Sequence, residues 1–212
     1  MSFDLATPIV YLITKGDAAA ANFEDASRQI LDIAGVAVEE NVPLLQIREK
    51  HLTAKLLFEL TSKVVKITKG SATRVLVNDR ADIAVAAGAD GVHLTSRSLS
   101  AKVIRKTFGS KFMIGVSTHN FDEARSAAAG GADLIVFGPV FETPGKGAAI
   151  GLADLRNVCE KLEAFPVLAL GGVDRENYRS VLAAGPKGFA AIRSLNDPDE
   201  LRAISAELRN EN

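Results

Sequence analysis

Leu44-Leu45-Gln46-Ile47-Arg48-Glu49-Lys50 is a short apolar run that turns polar at its end. The run is too short for a helix and too continuous for a strand with one wet face. It reads as a strand buried on both faces, the pattern of a parallel sheet covered by helices. Similar runs lie at 9–14, 74–78, 91–94, 112–118, 134–140, 167–171 and 189–193, most of them rich in Val, Ile and Leu.

Between these runs the spacing becomes helical. Ile30, Ile33, Ala34 and Ala37 share one helix face, as do Leu56, Leu57, Leu60 and Val64. Ile104 with Phe108, and Leu201 with Ile204 and Leu208, mark further helices. Strands alternating with helices imply a parallel sheet. Eight such units predict an α/β fold closed as a (β/α)8 barrel, the TIM barrel. The rival is an open doubly wound sheet, whose usual mark is a glycine-rich fingerprint after the first strand. The chain has Ile13-Thr14-Lys15-Gly16-Asp17 there instead. A weak repeat supports the barrel. Ala87-Gly88-Ala89-Asp90-Gly91, Gly130-Gly131-Ala132-Asp133 and Ala184-Gly185-Pro186-Lys187-Gly188 each precede a strand and place Gly just past a helix end. These turns are expected to be structural.

The chain has 212 residues, with Lys+Arg 25 against Asp+Glu 26 and a formal net charge of −1. The balance gives no electrostatic case for nucleic acid or a membrane surface. No apolar run approaches the ~18 residues that span a bilayer, and the first ten residues make a poor secretory signal. The single Cys159 excludes an internal disulfide framework and suits a reducing compartment. We expect one cytoplasmic domain over residues 1–212; the sequence leaves a homo-oligomer open.

In this fold the chemistry sits at the carboxyl ends of the strands. After the second strand, alternation sends Gln46, Arg48 and Lys50 to one side, where a guanidinium and an ammonium suit a diphosphate. An alternative is an Arg48–Glu49 pair on the surface. After the third, Asn78 suits a phosphate oxygen and Asp79 a hard cation such as Mg2+, unless Asp79 caps the helix that starts near Ala81. After the fifth, Ser117 or Thr118 can bond a substrate, and His119 can act as acid or base unless it is structural. His51 reads as solvated and His93 as a satisfied core residue. After the sixth, a loop with three glycines and two prolines carries Thr143 and Lys146 and reads as a lid. Gly171-Gly172 and the end of the eighth strand, with Arg193, form a phosphate cup in which Asp174 caps the next turn. These residues imply small phosphorylated substrates.

Gln46-Ile47-Arg48-Glu49-Lys50, Val77-Asn78-Asp79-Arg80, Gly88-Ala89-Asp90-Gly91-Val92-His93-Leu94, Ile114-Gly115-Val116-Ser117-Thr118-His119, Phe137-Gly138-Pro139-Val140-Phe141 and Ala169-Leu170-Gly171-Gly172-Val173 occur in this order at successive strand ends. With them the chain resembles the thiamine phosphate synthase/TenI family over nearly its full length. The synthases join a pyrimidine methyl diphosphate to a thiazole phosphate with Mg2+ and release diphosphate. The resemblance implies Arg48, Lys50, Asn78 and Lys146 on the diphosphate and Asp79 on Mg2+. It puts Gln46 and Ser117 on the pyrimidine side, and Thr143 and Gly172 on the thiazole phosphate. Three positions depart from the synthase pattern: Ser98 stands where a second acidic metal ligand is expected, Gly145 where a hydroxyl is, and Arg193 where a Ser is. These lean toward the TenI branch, metal-free thiazole tautomerases in which a His at the position of His119 moves the proton. The sequence favours the synthase slightly, with the tautomerase as alternative and a non-catalytic sensor of thiamine intermediates as a third possibility.

Overall fold

The computed structural model describes residues 7–143, 145 and 147–210. Among these residues eight strands alternate with eight α-helices. In chain order they are β1 (Ile9–Ile13), α1 (Phe23–Glu39), β2 (Leu44–Ile47), α2 (Ala54–Thr68), β3 (Arg74–Asn78), α3 (Ala81–Ala87), β4 (Gly91–Leu94) and α4 (Ala101–Phe108). There follow β5 (Met113–Thr118), α5 (Phe121–Ala129), β6 (Leu134–Phe137), α6 (Gly151–Leu162), β7 (Val167–Leu170), α7 (Tyr178–Leu182), β8 (Gly188–Ala191) and α8 (Pro198–Asn210). The strands close into a barrel in the order β1 to β8. Neighbours run parallel; Leu45 pairs with Val75 across β2 and β3, and Val136 with Leu168 across β6 and β7. The open doubly wound sheet is thereby excluded.

The continuous apolar runs are explained by burial. Every residue of β1, β2, β4, β6 and β8 is buried. Each helix lays one stripe on this sheet. Ile30, Ile33, Ala34 and Ala37 are buried on α1, and Leu201, Ile204 and Leu208 on α8. Each large aliphatic side chain so covered contributes about 1.5–3 kcal/mol. On α2, Leu57, Leu60 and Val64 are buried while Leu56 stays half-exposed at the stripe's edge.

The chain groups into two compact units. One holds Tyr11–Val92 with the segment from Ile192; the other holds His93–Ala191 with the residues up to Val10. Both use the same device at the turn into a strand. In the first, Asp90 N–H donates to the Val75 carbonyl at 2.9 Å, and the Asp90 carboxylate accepts from Val75 N–H at 2.8 Å and pairs with Arg74. In the second, Asp133 N–H donates to the Ile114 carbonyl at 2.8 Å, and its carboxylate accepts from Ile114 N–H at 2.7 Å and pairs with Arg105 at 2.6 Å. Gly88 and Gly131, each two residues earlier, take the left-handed φ values of +75° and +89° that the chain reversal needs.

Two strand ends fall two or more residues short of the sequence reading, and the other boundaries lie within one residue of it. The run at 134–140 leaves the sheet after Phe137 because Pro139 has no N–H to give a ladder. The last strand starts at Gly188 and ends at Ala191, two residues before Arg193.

Candidate active site

In the first unit the polar exits of β2 and β3 meet. Gln46 is 1% exposed, and its amide nitrogen donates to Asn78 Oδ1 at 3.1 Å. Its carbonyl Oε1 is buried with no hydrogen-bond partner. Leaving a buried acceptor unpaired costs about 1–3 kcal/mol, so the atom is poised for a donor from a ligand. Arg48 is half-buried and Lys50 exposed, so the three residues climb outward from the strand end. Arg48 N–H donates to Thr14 Oγ1 at 2.8 Å.

The surface pair between Arg48 and Glu49 does not form. Glu49 is buried instead, and its carboxylate accepts from the Thr14 hydroxyl and from the main-chain N–H groups of Gly16 and Ala18. Glu49 turns inward to the main chain of the loop after β1, while the Arg48 guanidinium lies over Gly16 of the same loop.

Asp79 does not cap α3, whose N-cap is Arg80 with no side-chain cap. It stands exposed at φ +60°, a left-handed conformation that Asp tolerates better than most residues. Its neighbour Arg80 is committed to Asp82, with Nε–Oδ1 2.8 Å and Nη2–Oδ2 2.5 Å. This hydrogen bonding raises the guanidinium pKa and holds the Asp82 carboxyl below its usual range. Arg193 is exposed at the start of a short 3-10 turn, Ser194–Asn196, which Asn196 ties to the Ile13 and Ile192 carbonyls.

In the second unit, Ser117 Oγ lies 2.8 Å from His93 Nε2. His93 is 2% exposed, so it is a core residue, but one that orients a candidate substrate contact. The sequence reading stopped at the first half of that statement. Thr118, one residue on and facing the other way, has a buried hydroxyl without a partner. His119 is exposed, with Nδ1 2.6 Å from the Gly138 carbonyl. A carbonyl only accepts, so Nδ1 carries the proton and Nε2 of the neutral ring is left as the acceptor.

The β6 and β7 exits run side by side. Val140 and Phe141 N–H donate to the Leu170 and Gly171 carbonyls at 2.8 and 3.0 Å. A Cβ on Gly171 would stand 2.5 Å from Pro139 Cα, and one on Gly172 2.8 Å from Phe141 Cβ. Both glycines also have positive φ, so no other residue fits this approach. Thr143 Oγ1 donates to the Phe141 carbonyl at 3.1 Å. Asp174 caps the following turn, accepting from the N–H groups of Glu176 and Asn177. Lys146 lies outside the described residues. Cys159, inside α6, has its thiol pushed up to about 11 by burial and is unreactive at neutral pH.

Among the described residues no three His, Cys, Asp or Glu side chains gather to hold a metal ion. Ser98 adds no ligand of charge: its hydroxyl accepts from Thr95 N–H at 2.8 Å and lies 3.1 Å from Thr95 Oγ1, closing its own loop. The exit of β3 offers one exposed carboxylate, Asp79. That fits Mg2+ when phosphate oxygens and water complete the shell, and does not fit an all-protein cage.

The comparisons with known proteins agree with the barrel fold. The family model described as thiamine monophosphate synthase matches residues 10–195. A Geobacter sulfurreducens relative named for that synthase is 41% identical over 194 residues, covering 90% of this chain and 88% of its own. The thiamine-phosphate synthase of Clostridium novyi is 35% identical over 86% of this chain and 91% of its own. The solved structure of thiamine phosphate pyrophosphorylase from Pyrococcus furiosus superposes with a TM-score of 0.80 at 29% identity, covering 95% of this chain and 93% of that one. A model match over nearly the whole barrel, with relatives of this identity and coverage, means that the chain belongs to the thiamine monophosphate synthase family.

Proposed function

We propose that the protein is a cytoplasmic thiamine-phosphate synthase built as one (β/α)8 domain. It couples a pyrimidine methyl diphosphate to a thiazole phosphate and releases diphosphate. The observation that carries the reading is the exit of β2 and β3, where Arg48, Lys50, Asn78 and Asp79 follow a Gln46 whose carbonyl is buried and unpaired.

As the bond between carbon and diphosphate breaks, negative charge builds on the leaving group. Cations fixed around it therefore stabilise the transition state more than the ground state. In this reading Arg48, Lys50, Asn78 and Lys146 hold the diphosphate, and Asp79 holds Mg2+. The ion, when bound, supplies further positive charge to the leaving oxygens. Gln46 accepts a hydrogen bond from the pyrimidine amine, and Ser117, oriented by His93, makes a second contact on that side. Thr143, Gly171 and Gly172 receive the thiazole phosphate on main-chain and hydroxyl groups, with Arg193 as an added cation. His119 presents Nε2 to the substrate as a proton acceptor.

The tautomerase alternative is not favoured. Metal-free isomerisation requires neither Lys50 nor Asp79, and both are present, while the relatives are named for the synthase. The test is to incubate the purified protein with both synthase substrates, with and without Mg2+, following diphosphate and thiamine phosphate. Mg2+-dependent product is expected, and Asp79→Ala should lower kcat/KM by about 100-fold or more. No product in either condition overturns the reading; tight binding of the intermediates without turnover would make the protein a sensor.

A further inference from the structure

Glu49 is a charged side chain that is 2% exposed and sits between two proposed diphosphate ligands in the chain. Its Oε1 accepts from Thr14 Oγ1 at 2.5 Å and from Gly16 N–H at 3.0 Å; its Oε2 accepts from Ala18 N–H at 2.9 Å. Three donors offset the cost of burying the carboxylate and leave the loop after β1 little freedom. That loop in turn grips Arg48. The Thr14 hydroxyl, donating to Glu49, accepts from Arg48 N–H at 2.8 Å. The guanidinium lies over Gly16 so closely that a Cβ there would stand 2.7 Å from Arg48 Nη1 and 3.0 Å from Arg48 O.

We infer that Glu49 is a positioning residue for diphosphate: by clamping Thr14, Gly16 and Ala18 it makes a platform that fixes the direction of the Arg48 guanidinium. This rests on the synthase reading for its substrate. A flexible Arg side chain loses considerable rotamer entropy when it binds an anion, and a rigid platform removes part of that loss in advance. The donors on the Glu49 oxygens turn the positive ends of the loop's dipoles toward its carboxylate and so stabilise the charge where it is buried.

The experiment compares wild type, Glu49→Gln, Thr14→Val and Thr14→Ser. Glu49→Gln keeps the size but turns one oxygen into a donor facing a main-chain N–H. Thr14→Val removes the hydroxyl shared by Glu49 and Arg48, and Thr14→Ser restores it. The readouts are the binding of inorganic diphosphate with Mg2+ by calorimetry, KM for each substrate, kcat and the melting temperature. Glu49→Gln and Thr14→Val should each weaken inorganic diphosphate about tenfold. KM for the thiazole phosphate should stay within about twofold, and Thr14→Ser should bind diphosphate as wild type does. Equal weakening of both substrates, or a lowered melting temperature with diphosphate binding unchanged, would make the clamp merely structural and overturn the inference. If Glu49→Gln does not fold, the pair Thr14→Val and Thr14→Ser decides by the same criteria. Wild type that binds inorganic diphosphate but makes no product defeats the synthase reading alone; wild type that binds none defeats the inference as well.

Discussion

At the turn into β6, Arg105 donates to the carbonyls of Gly109, Phe112 and Gly131 and to the Asp133 carboxylate, which also accepts from Ile114 N–H. At the exit of β2, the Gln46 carbonyl is buried with nothing donating to it, and after β3 the Asp79 carboxylate stands exposed in a left-handed conformation. Both regions place polar side chains where a strand meets a loop. In the first the guanidinium and the carboxylate answer each other and the main chain around them, and in the second the groups are left open. An open buried acceptor is a standing cost of about 1–3 kcal/mol, tolerable where a ligand closes it. The entry turns are therefore built for stability, and in the proposed function the exits carry binding, a division of labour expected of this barrel.

The comparison can be broken from its structural side first. Asp133→Ala removes the acceptor of Ile114 N–H and leaves Arg105 without its carboxylate. Because the pair is partly exposed, we expect a loss of about 2 kcal/mol rather than the larger cost of a deeply buried pair. For a chain of this length that lowers the melting temperature by roughly 4–8 °C. The kcat/KM should stay within about twofold. A collapse of activity at unchanged melting temperature would put the entry turn in the active site and reverse the assignment.

The opposite signature is expected at Gln46. Gln46→Leu removes the unpaired carbonyl, and the half-exposed Asn78 that loses the amide donor can turn to water, so thermal stability should hold or rise. The pyrimidine substrate loses its acceptor, and kcat/KM should fall about tenfold, worth about 1.4 kcal/mol. Thermal melts beside steady-state kinetics check both halves. A melting temperature that falls along with activity would mean that Gln46 is held by its contacts within the fold and not reserved for a ligand.

These two regions were legible in the sequence to different depths. The barrel and its entry turns follow from local patterns: apolar runs of strand length, helical stripes, and Gly before each Asp of the turn. The exits were legible as residue types but not as partnerships. Glu49 follows Arg48 in the chain, yet its partner Thr14 lies 35 positions away, a contact no local pattern encodes. For the same reason His93 read as core while its contact with Ser117, 24 positions on, stayed hidden. The β6 boundary was overshot for a related cause: Val140 and Phe141 do bond to the β7 exit, so the apolar run beyond Pro139 is packed without being strand.

The third entry turn offers the finest test. Lys187 N–H donates to the Val167 carbonyl at 2.8 Å, as Asp90 and Asp133 do to Val75 and Ile114, but the side chain is an ammonium where the other turns have a carboxylate. Val167 N–H thus lacks the side-chain acceptor that Val75 and Ile114 N–H receive. Lys187→Asp supplies one and should stabilise the protein by about 0.5–1 kcal/mol, since the site is half-exposed and Pro166 stands before Val167 where Arg74 stands before Val75. Lys187 also lowers the Cys159 thiol pKa against the burial that raises it. Its replacement by a carboxylate should therefore raise that pKa further, and alkylation of Cys159 at alkaline pH should slow. A melting temperature that drops while alkylation slows would show that the carboxylate reaches the thiol's surroundings without reaching Val167 N–H. The Asp of the first two turns would then depend on the Arg beside it, and the entry turns would be ion-pair devices first and main-chain caps second.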